Sequence, residues 1–524
     1  MQDLIGNRTL PTLLAERVER HADESWLVFE DAEGGVEEHT YAGFQELVQR
    51  AAGGLAALGV EEGDRVGLHL ANCPEFLVAL FALAQLGAIA VPSNVANQAP
   101  EMTHVLGFSE AKLLVTAPAY LELFEQVLPG TPSVQHTIVA RGAAPEGTTS
   151  FAELLQAPLR REVATLEPET PVQMIFTSGT TAQPKGVVLT HGNCVWSSER
   201  ESRSLGLDAG ERVLTALPLF HVNAQSLSML SALAVGGTLI LLECFRATKF
   251  MDQVRRHRAT QTSIVAMLAR TLLAQPARED DADHALRRVF YAINVTDEEK
   301  DRFERRFGVE LINGYGLSEA MTLVSVAPVH GPKRWPSVGM PALDRVVRIV
   351  DEAGEEVEPG VVGEITVKGV PGRTLMKEYW RDPDATARTL VDGWLHTGDN
   401  GYVDELGYLY FYDRAKDVIK RAGENISATE VESVLAQHPA IAQAAVIAVP
   451  DPIRDEAVKA FVVVADGHEL TEEEVVAHCA AHLARFKVPT IVELRDSLPM
   501  TSIGKIEKKV LRQEARTAQA VTAR

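Results

Sequence analysis

The chain has 524 residues, 46% of them hydrophobic and 23% charged, which is an ordinary globular composition and too long for one core. Its formal net charge of −22, from 72 acidic against 50 basic residues, argues against nucleic acid or an anionic membrane as the main partner. Four scattered cysteines (Cys73, Cys194, Cys244, Cys479), with no CxxC spacing, indicate neither a zinc site nor a disulfide framework.

In chain order, Thr40-Tyr41 followed by Phe44 to Leu58 predicts a helix, and Asp64 to Leu70 a short buried strand. Pro74 to Leu86 is a second helix, with Pro74 suited to a first turn. Two apolar stretches, Phe76 to Val91 and Leu227 to Leu242, are interrupted by Gly87 and by Gly236-Gly237. Each reads as buried helix, glycine turn and buried strand, so no membrane span is expected. Further strands are expected at 113–115, 137–139, 174–176, 213–216, 289–293 and 309–312, with a helix at 298–307. This alternation implies mostly parallel sheets covered on both faces. After about residue 340, turn-separated strands at 345–350, 363–367 and 407–412 suggest an antiparallel, barrel-like β unit. The texture changes again at Asp413 to Asp417. Beyond it come a helix (428–438), two strands (444–449, 457–464), a helix (471–483) and an alanine- and arginine-rich tail expected to fray after Leu511.

The segment Phe176-Thr177-Ser178-Gly179-Thr180-Thr181-Ala182-Gln183-Pro184-Lys185-Gly186 carries the most chemistry. Small residues let backbone N–H groups approach an anion, hydroxyls donate to phosphate oxygens and Lys185 adds positive charge. It lacks the Gly-Lys-Ser/Thr order of the usual P-loop, and a plain surface turn is the competing reading. Tyr315-Gly316-Leu317-Ser318-Glu319 offers a ring for a flat base and a carboxylate for a hard cation, or simply a structural turn. Gly393-Trp394-Leu395-His396-Thr397-Gly398-Asp399 places a carboxylate where it can accept from two ribose hydroxyls.

Together these segments resemble the adenylate-forming enzymes: acyl-CoA synthetases, luciferases and peptide-synthetase adenylation domains. Five motifs stand in that family's order from Thr40-Tyr41 to Lys505, with Ala182 where the family usually has Gly. The texture is most similar to the crotonobetaine/carnitine–CoA ligase-like acyl-CoA synthetases, through Phe220 to Gln225, Lys333 to Gly339 and Asp451 to Ala457.

The resemblance implies a large N-terminal α/β domain (1–415) of two mostly parallel sheets plus a β-rich subdomain (340–413). A small, mobile α+β C-terminal domain (416–524) follows. It implies ATP, Mg2+ and coenzyme A, with Thr177, Ser178, Gly179, Thr180, Thr181 and Lys185 on the phosphates. Tyr315, Gly316 and Ser318 would serve the adenine, Asp399 and Arg414 the ribose, and Glu319 the metal. Lys505, His221 and Thr181 become the catalytic group. Lys416 becomes the hinge, and Gly423 with Glu424 the thioester loop. His221, Asn223 and Gln225 become the acyl pocket, the last two hinting at polar groups on the acid. From the residues alone, His221 also reads as a packed core histidine, and Lys505 as a solubilising charge. The expected reaction is ATP-dependent formation of acyl-AMP, then transfer to the CoA thiol, in the cytoplasm. A carrier-protein phosphopantetheine is the alternative acceptor, a homodimer the family-level assembly, and a non-catalytic nucleotide-binding regulator the other class. Lys185, Glu319, Asp399 and Lys505 together speak against the regulator.

Overall fold

The computed structural model describes residues 3–177, 184–292, 295–414, 417–421, 424–451, 455–483, 485–500 and 506–522. The chain divides into two compact units. The first comprises Met1–Ile293, Glu299–Val347 and Val367–His396; the second comprises Asn294–Glu298, Arg348–Thr366 and Thr397–Arg524.

Two large sheets organise the first unit. The nine-stranded sheet runs, edge to edge, through 340–341, 322–326, 310–317, 288–292, 261–265, 212–215, 238–242, 25–30 and 36–40. Its central pairs are parallel and its outer ones antiparallel. The eight-stranded sheet runs through 378–379, 185–190, 171–177, 89–92, 65–69, 113–116, 136–139 and 149–150, and is parallel from 171–177 onward. Parallel strands are buried on both faces, and Leu113–Thr116 and Thr238–Leu242 are accordingly apolar and wholly buried.

Both interrupted apolar stretches fold as their glycines dictate. Helix Pro74–Leu86 has Pro74 in its first turn and ends at Gly87, whose φ of 71° is left-handed, before strand Ile89–Pro92. Gly236 ends Ser231–Val235 in the same way before Thr238–Leu242. The turn ahead of it, Ala224–Leu230, is a π-helix, a form often found at functional sites. Among the described residues no helix is long and apolar enough to cross a membrane.

In the second unit the small sheet runs 424–427, 418–421, 455–464 and 441–451, with 491–495 parallel to 455–464. One expectation fails here: the C-terminal tail forms helix Lys508–Thr522. Leu511 and Ala515, one turn apart, are buried against Ala445, Ile447 and Phe461, and Arg495 pairs with Glu514 at 2.7 Å. An apolar stripe of only two small contacts, lost among alanines and arginines, secures the helix by docking rather than by propensity.

Candidate active site

Strands Pro171–Thr177 and Lys185–Thr190 pair antiparallel, with Thr177 opposite Lys185, so the phosphate-loop sequence is the connection between adjacent strands. Ser178, Gly179, Thr180 and Thr181 lie outside the described residues. At the loop's far end the Pro184 carbonyl accepts from His104 Nε2 at 3.1 Å. Lys185 is half-buried, and its Nζ lies 4.8 Å from the centroid of the Tyr379 ring.

Strand Glu310–Leu317 delivers Tyr315 and Gly316, and the turn Ser318–Ala320 follows. Tyr315 packs against the cluster of Ala320, Val324, Val367, Leu375 and Leu395. Gly316 has a structural reason to be glycine: a side chain there would collide with the Thr322 carbonyl. Glu319 is half-buried. Its carbonyl accepts from Met376 N at 2.7 Å, and its Oε1 accepts from the Tyr379 hydroxyl at 2.8 Å. Burial, and then the Glu319 charge, push the Tyr379 phenol far above its ordinary range, so it is a neutral O–H donor at any physiological pH.

The turn is fixed from behind by charged side chains taken almost wholly out of water. Arg345 donates to three carbonyls, Leu323 at 3.0 Å, Thr374 at 2.7 Å and Ala320. Arg200 reaches the Met321 carbonyl at 3.3 Å and pairs with Asp344 at 2.7 Å. Burial pushes the neighbouring Glu201 carboxyl up to about 7 against the pull of Arg200, and pulls the Arg345 guanidinium down.

His221 and Asn223 are both partly exposed at the entry to the π-helix. The segment before them is held by the buried Asn72, whose amide donates to the Leu217 and Leu242 carbonyls at 3.0 Å and accepts from Leu219 N at 2.9 Å. Asn223 Oδ1 accepts from the Ser263 hydroxyl at 3.0 Å. Gln225 is fully buried, and its amide donates to the Leu219 carbonyl at 2.8 Å. It braces the His221 turn and offers no surface of its own.

In the second unit Asp399 lies on strand Trp394–Val403, directly opposite Arg414 on Leu409–Arg414. The antiparallel register thus joins the two expected ribose contacts on neighbouring strands. Asp399 N donates to Thr397 Oγ1 at 3.1 Å, and Thr397 Oγ1 donates to the Ile365 carbonyl at 2.7 Å. Glu424 begins strand Glu424–Ser427. Lys416, Gly423 and Lys505 lie outside the described residues.

Sequence reasoning missed Tyr379, Asn72, Arg200 and Arg345. Each acts through tertiary pairing, and none sits in a run whose spacing betrays it.

The residues fit a cation brought in by a triphosphate. Among the described residues no group of three His, Cys, Asp or Glu side chains is spaced to hold a metal alone. Mg2+ is characteristically held by one or two carboxylates plus phosphate oxygens, and Glu319 is a carboxylate of that kind.

The AMP-binding enzyme family model matches residues 14–380, and the AMP-binding enzyme C-terminal domain model matches 430–505. Crotonobetaine/carnitine–CoA ligases are 41% identical in Proteus mirabilis and 40% in Citrobacter koseri, each match covering 97% of this chain and 100% of the relative. The solved anthranilate CoA ligase AuaEII, in complex with anthranoyl-AMP, superposes with a TM-score of 0.90 at 26% identity, covering 99% of this chain and 100% of that one. ATP-bound MatB from Rhodopseudomonas palustris gives 0.86 at 27% identity, covering 96% and 98%. The chain belongs to the AMP-binding enzyme family, and within it to the AMP-forming acyl-CoA ligases.

Proposed function

We propose that this ligase activates a compact, polar carboxylic acid and delivers it to free coenzyme A. In the first step a carboxylate oxygen attacks the α-phosphorus of ATP, a P–O bond forms and pyrophosphate leaves with the electrons of the broken bond. In the second, the CoA thiol loses its proton, sulfur attacks the acyl carbon and AMP leaves with the carboxylate oxygen. The observation that carries the reading is Tyr379 joining Lys185 and Glu319, a phosphate-seeking ammonium and a cation-seeking carboxylate, in one cluster.

Thr177 to Thr181 and Lys185 bind the phosphates, and Tyr315, Gly316 and Ser318 the adenine. Asp399 and Arg414 take the ribose hydroxyls. Glu319 would hold Mg2+, which supplies charge neutralisation on the phosphates when bound. Lys505 supplies the ammonium for the charge that gathers as carboxylate and α-phosphate approach, and Thr181 and His221 complete the catalytic group. No covalent enzyme intermediate is needed, because positioning and charge do the work. Lys416 serves as the hinge, and Gly423 and Glu424 as the thioester loop.

His221 and Asn223 contribute to the acyl pocket. With its carbonyl oxygen accepting from Ser263, Asn223 has its amide N–H groups to donate, which suits an acid bearing an oxygen acceptor. Crotonobetaine and carnitine are the acids named in its relatives, and carnitine bears such an oxygen acceptor in its hydroxyl group. A cytoplasmic homodimer without a membrane span completes the reading.

The test is a carboxylate panel scored for pyrophosphate release, with free CoA and phosphopantetheine carrier proteins as competing acceptors. Thioester on CoA supports the reading. Turnover that needs a carrier protein moves the function to carrier loading, and no pyrophosphate with any acid removes the catalytic reading.

A further inference from the structure

Tyr379 occupies the two-residue strand Glu378–Tyr379, paired antiparallel with Val187 and Val188 on the strand that begins at Lys185. The pairing brings an aromatic face to the lysine of the phosphate loop: Lys185 Nζ stands 4.8 Å from the ring centroid. The ring's other end reaches the acidic turn, where the hydroxyl donates to Glu319 Oε1 at 2.8 Å. The tyrosine is itself fixed. It is 8% exposed, and its N–H donates to Thr386 Oγ1 at 2.9 Å. Glu319 is held at its other end through the Met376 contact to its carbonyl.

A carboxylate has about four lone-pair directions, and a single donated O–H uses one while fixing the plane of the group. The face of a tyrosine ring attracts an ammonium without neutralising it. One side chain thus restrains a cation and an anion 134 positions apart in sequence (185 and 319), and leaves both charges intact. We propose that Tyr379 is a positioning residue that couples Lys185 to Glu319, so that a triphosphate and its divalent cation are received together. The inference rests on the reading of Glu319 as the cation's carboxylate.

Tyr379→Phe keeps the ring and deletes the hydroxyl. The half-saturating Mg2+ for pyrophosphate release should rise about tenfold, as expected for losing a hydrogen bond to a charged group. The affinity of the enzyme–ATP complex for Mn2+, read by electron paramagnetic resonance without turnover, should fall by the same factor. Metal-free ATP binding, read by calorimetry, should hold within about twofold, since Lys185 keeps its ring. Tyr379→Leu removes the ring as well and should weaken metal-free ATP binding about fivefold. In a Glu319→Gln background, Tyr379→Phe should add nothing. Unchanged Mn2+ affinity in Tyr379→Phe, or a kcat loss equal at every metal concentration, overturns the coupling. Glu319→Gln with wild-type metal dependence overturns the underlying assignment instead, whatever Tyr379 does.

Discussion

An ammonium that stabilises one transition state and is dispensable for the next can be recognised by separating the two half-reactions. In the proposed mechanism Lys505 is that group. Lys505→Ala should slow adenylation by about a hundredfold or more, the scale expected when a charge contact to the transition state is removed. Conversion of synthetic acyl-AMP and CoA to thioester should stay within a few fold of wild type. Equal loss of both steps, in single-turnover experiments, would show the lysine to be structural. The runs that stand out in the sequence are those whose proposed chemistry requires neighbours in the chain. The seven residues from Gly393 to Asp399 form one such run, and the phosphate loop another. Tyr379 was not legible, because its role arises from strand pairing with Val187 and Val188 and from a turn reached through tertiary packing. Gln225 was legible as polar but not as buried: the π-helix turns it to the Leu219 carbonyl, while Asn223, two residues earlier, stays partly exposed.

Among elements, the turn Ser318–Ala320 depends on Arg345, which serves carbonyls on both sides of it. Arg345→Met keeps the stem and removes its donors to three buried carbonyls, and leaves Asp344 with one cation fewer. The expected loss is about 3 kcal/mol in a denaturant titration, in line with breaking a buried charged network. A loss below about 1 kcal/mol would show that neighbouring groups satisfy the turn without it. Two buried histidines set an acid limit on the same unit. Burial holds His69 down to about 4 and His191 down to about 3, so both are neutral when folded. The unfolded chain protonates them near 6.5 and therefore binds more protons below that pH. Their contribution to stability is full above 6.5 and is lost as pH falls from 6.5 toward 4, at about 1.4 kcal/mol per pH unit for each. His191→Gln should remove one proton from the slope measured between pH 6 and 4.5, and an unchanged slope would contradict the assignment. The strands and helices flanking Gly87 and Gly236 were readable, because left-handed glycine ends a helix wherever it stands. The C-terminal helix was not, since its stability lies in Leu511 and Ala515 meeting Ala445, Ile447 and Phe461.

For the whole molecule, an enzyme of this class must do two chemical steps with one set of loops, and the proposed hinge at Lys416 is where that requirement falls. Lys416→Pro fixes φ and removes a backbone donor. Adenylation should persist, while thioester formation from acyl-AMP falls steeply. A well-folded variant that performs both steps at wild-type rates would place the pivot elsewhere in the linker. The most direct test of the account as a whole follows one oxygen atom. The acid is supplied with both carboxylate oxygens labelled as oxygen-18, with ATP and CoA, and the products are separated for mass spectrometry. Attack of the carboxylate on the α-phosphorus, followed by thiolysis, predicts AMP carrying one labelled oxygen, unlabelled pyrophosphate and a thioester retaining the other label. Label appearing in inorganic phosphate alongside ADP would mean that the acid is activated through an acyl phosphate, and would contradict the account.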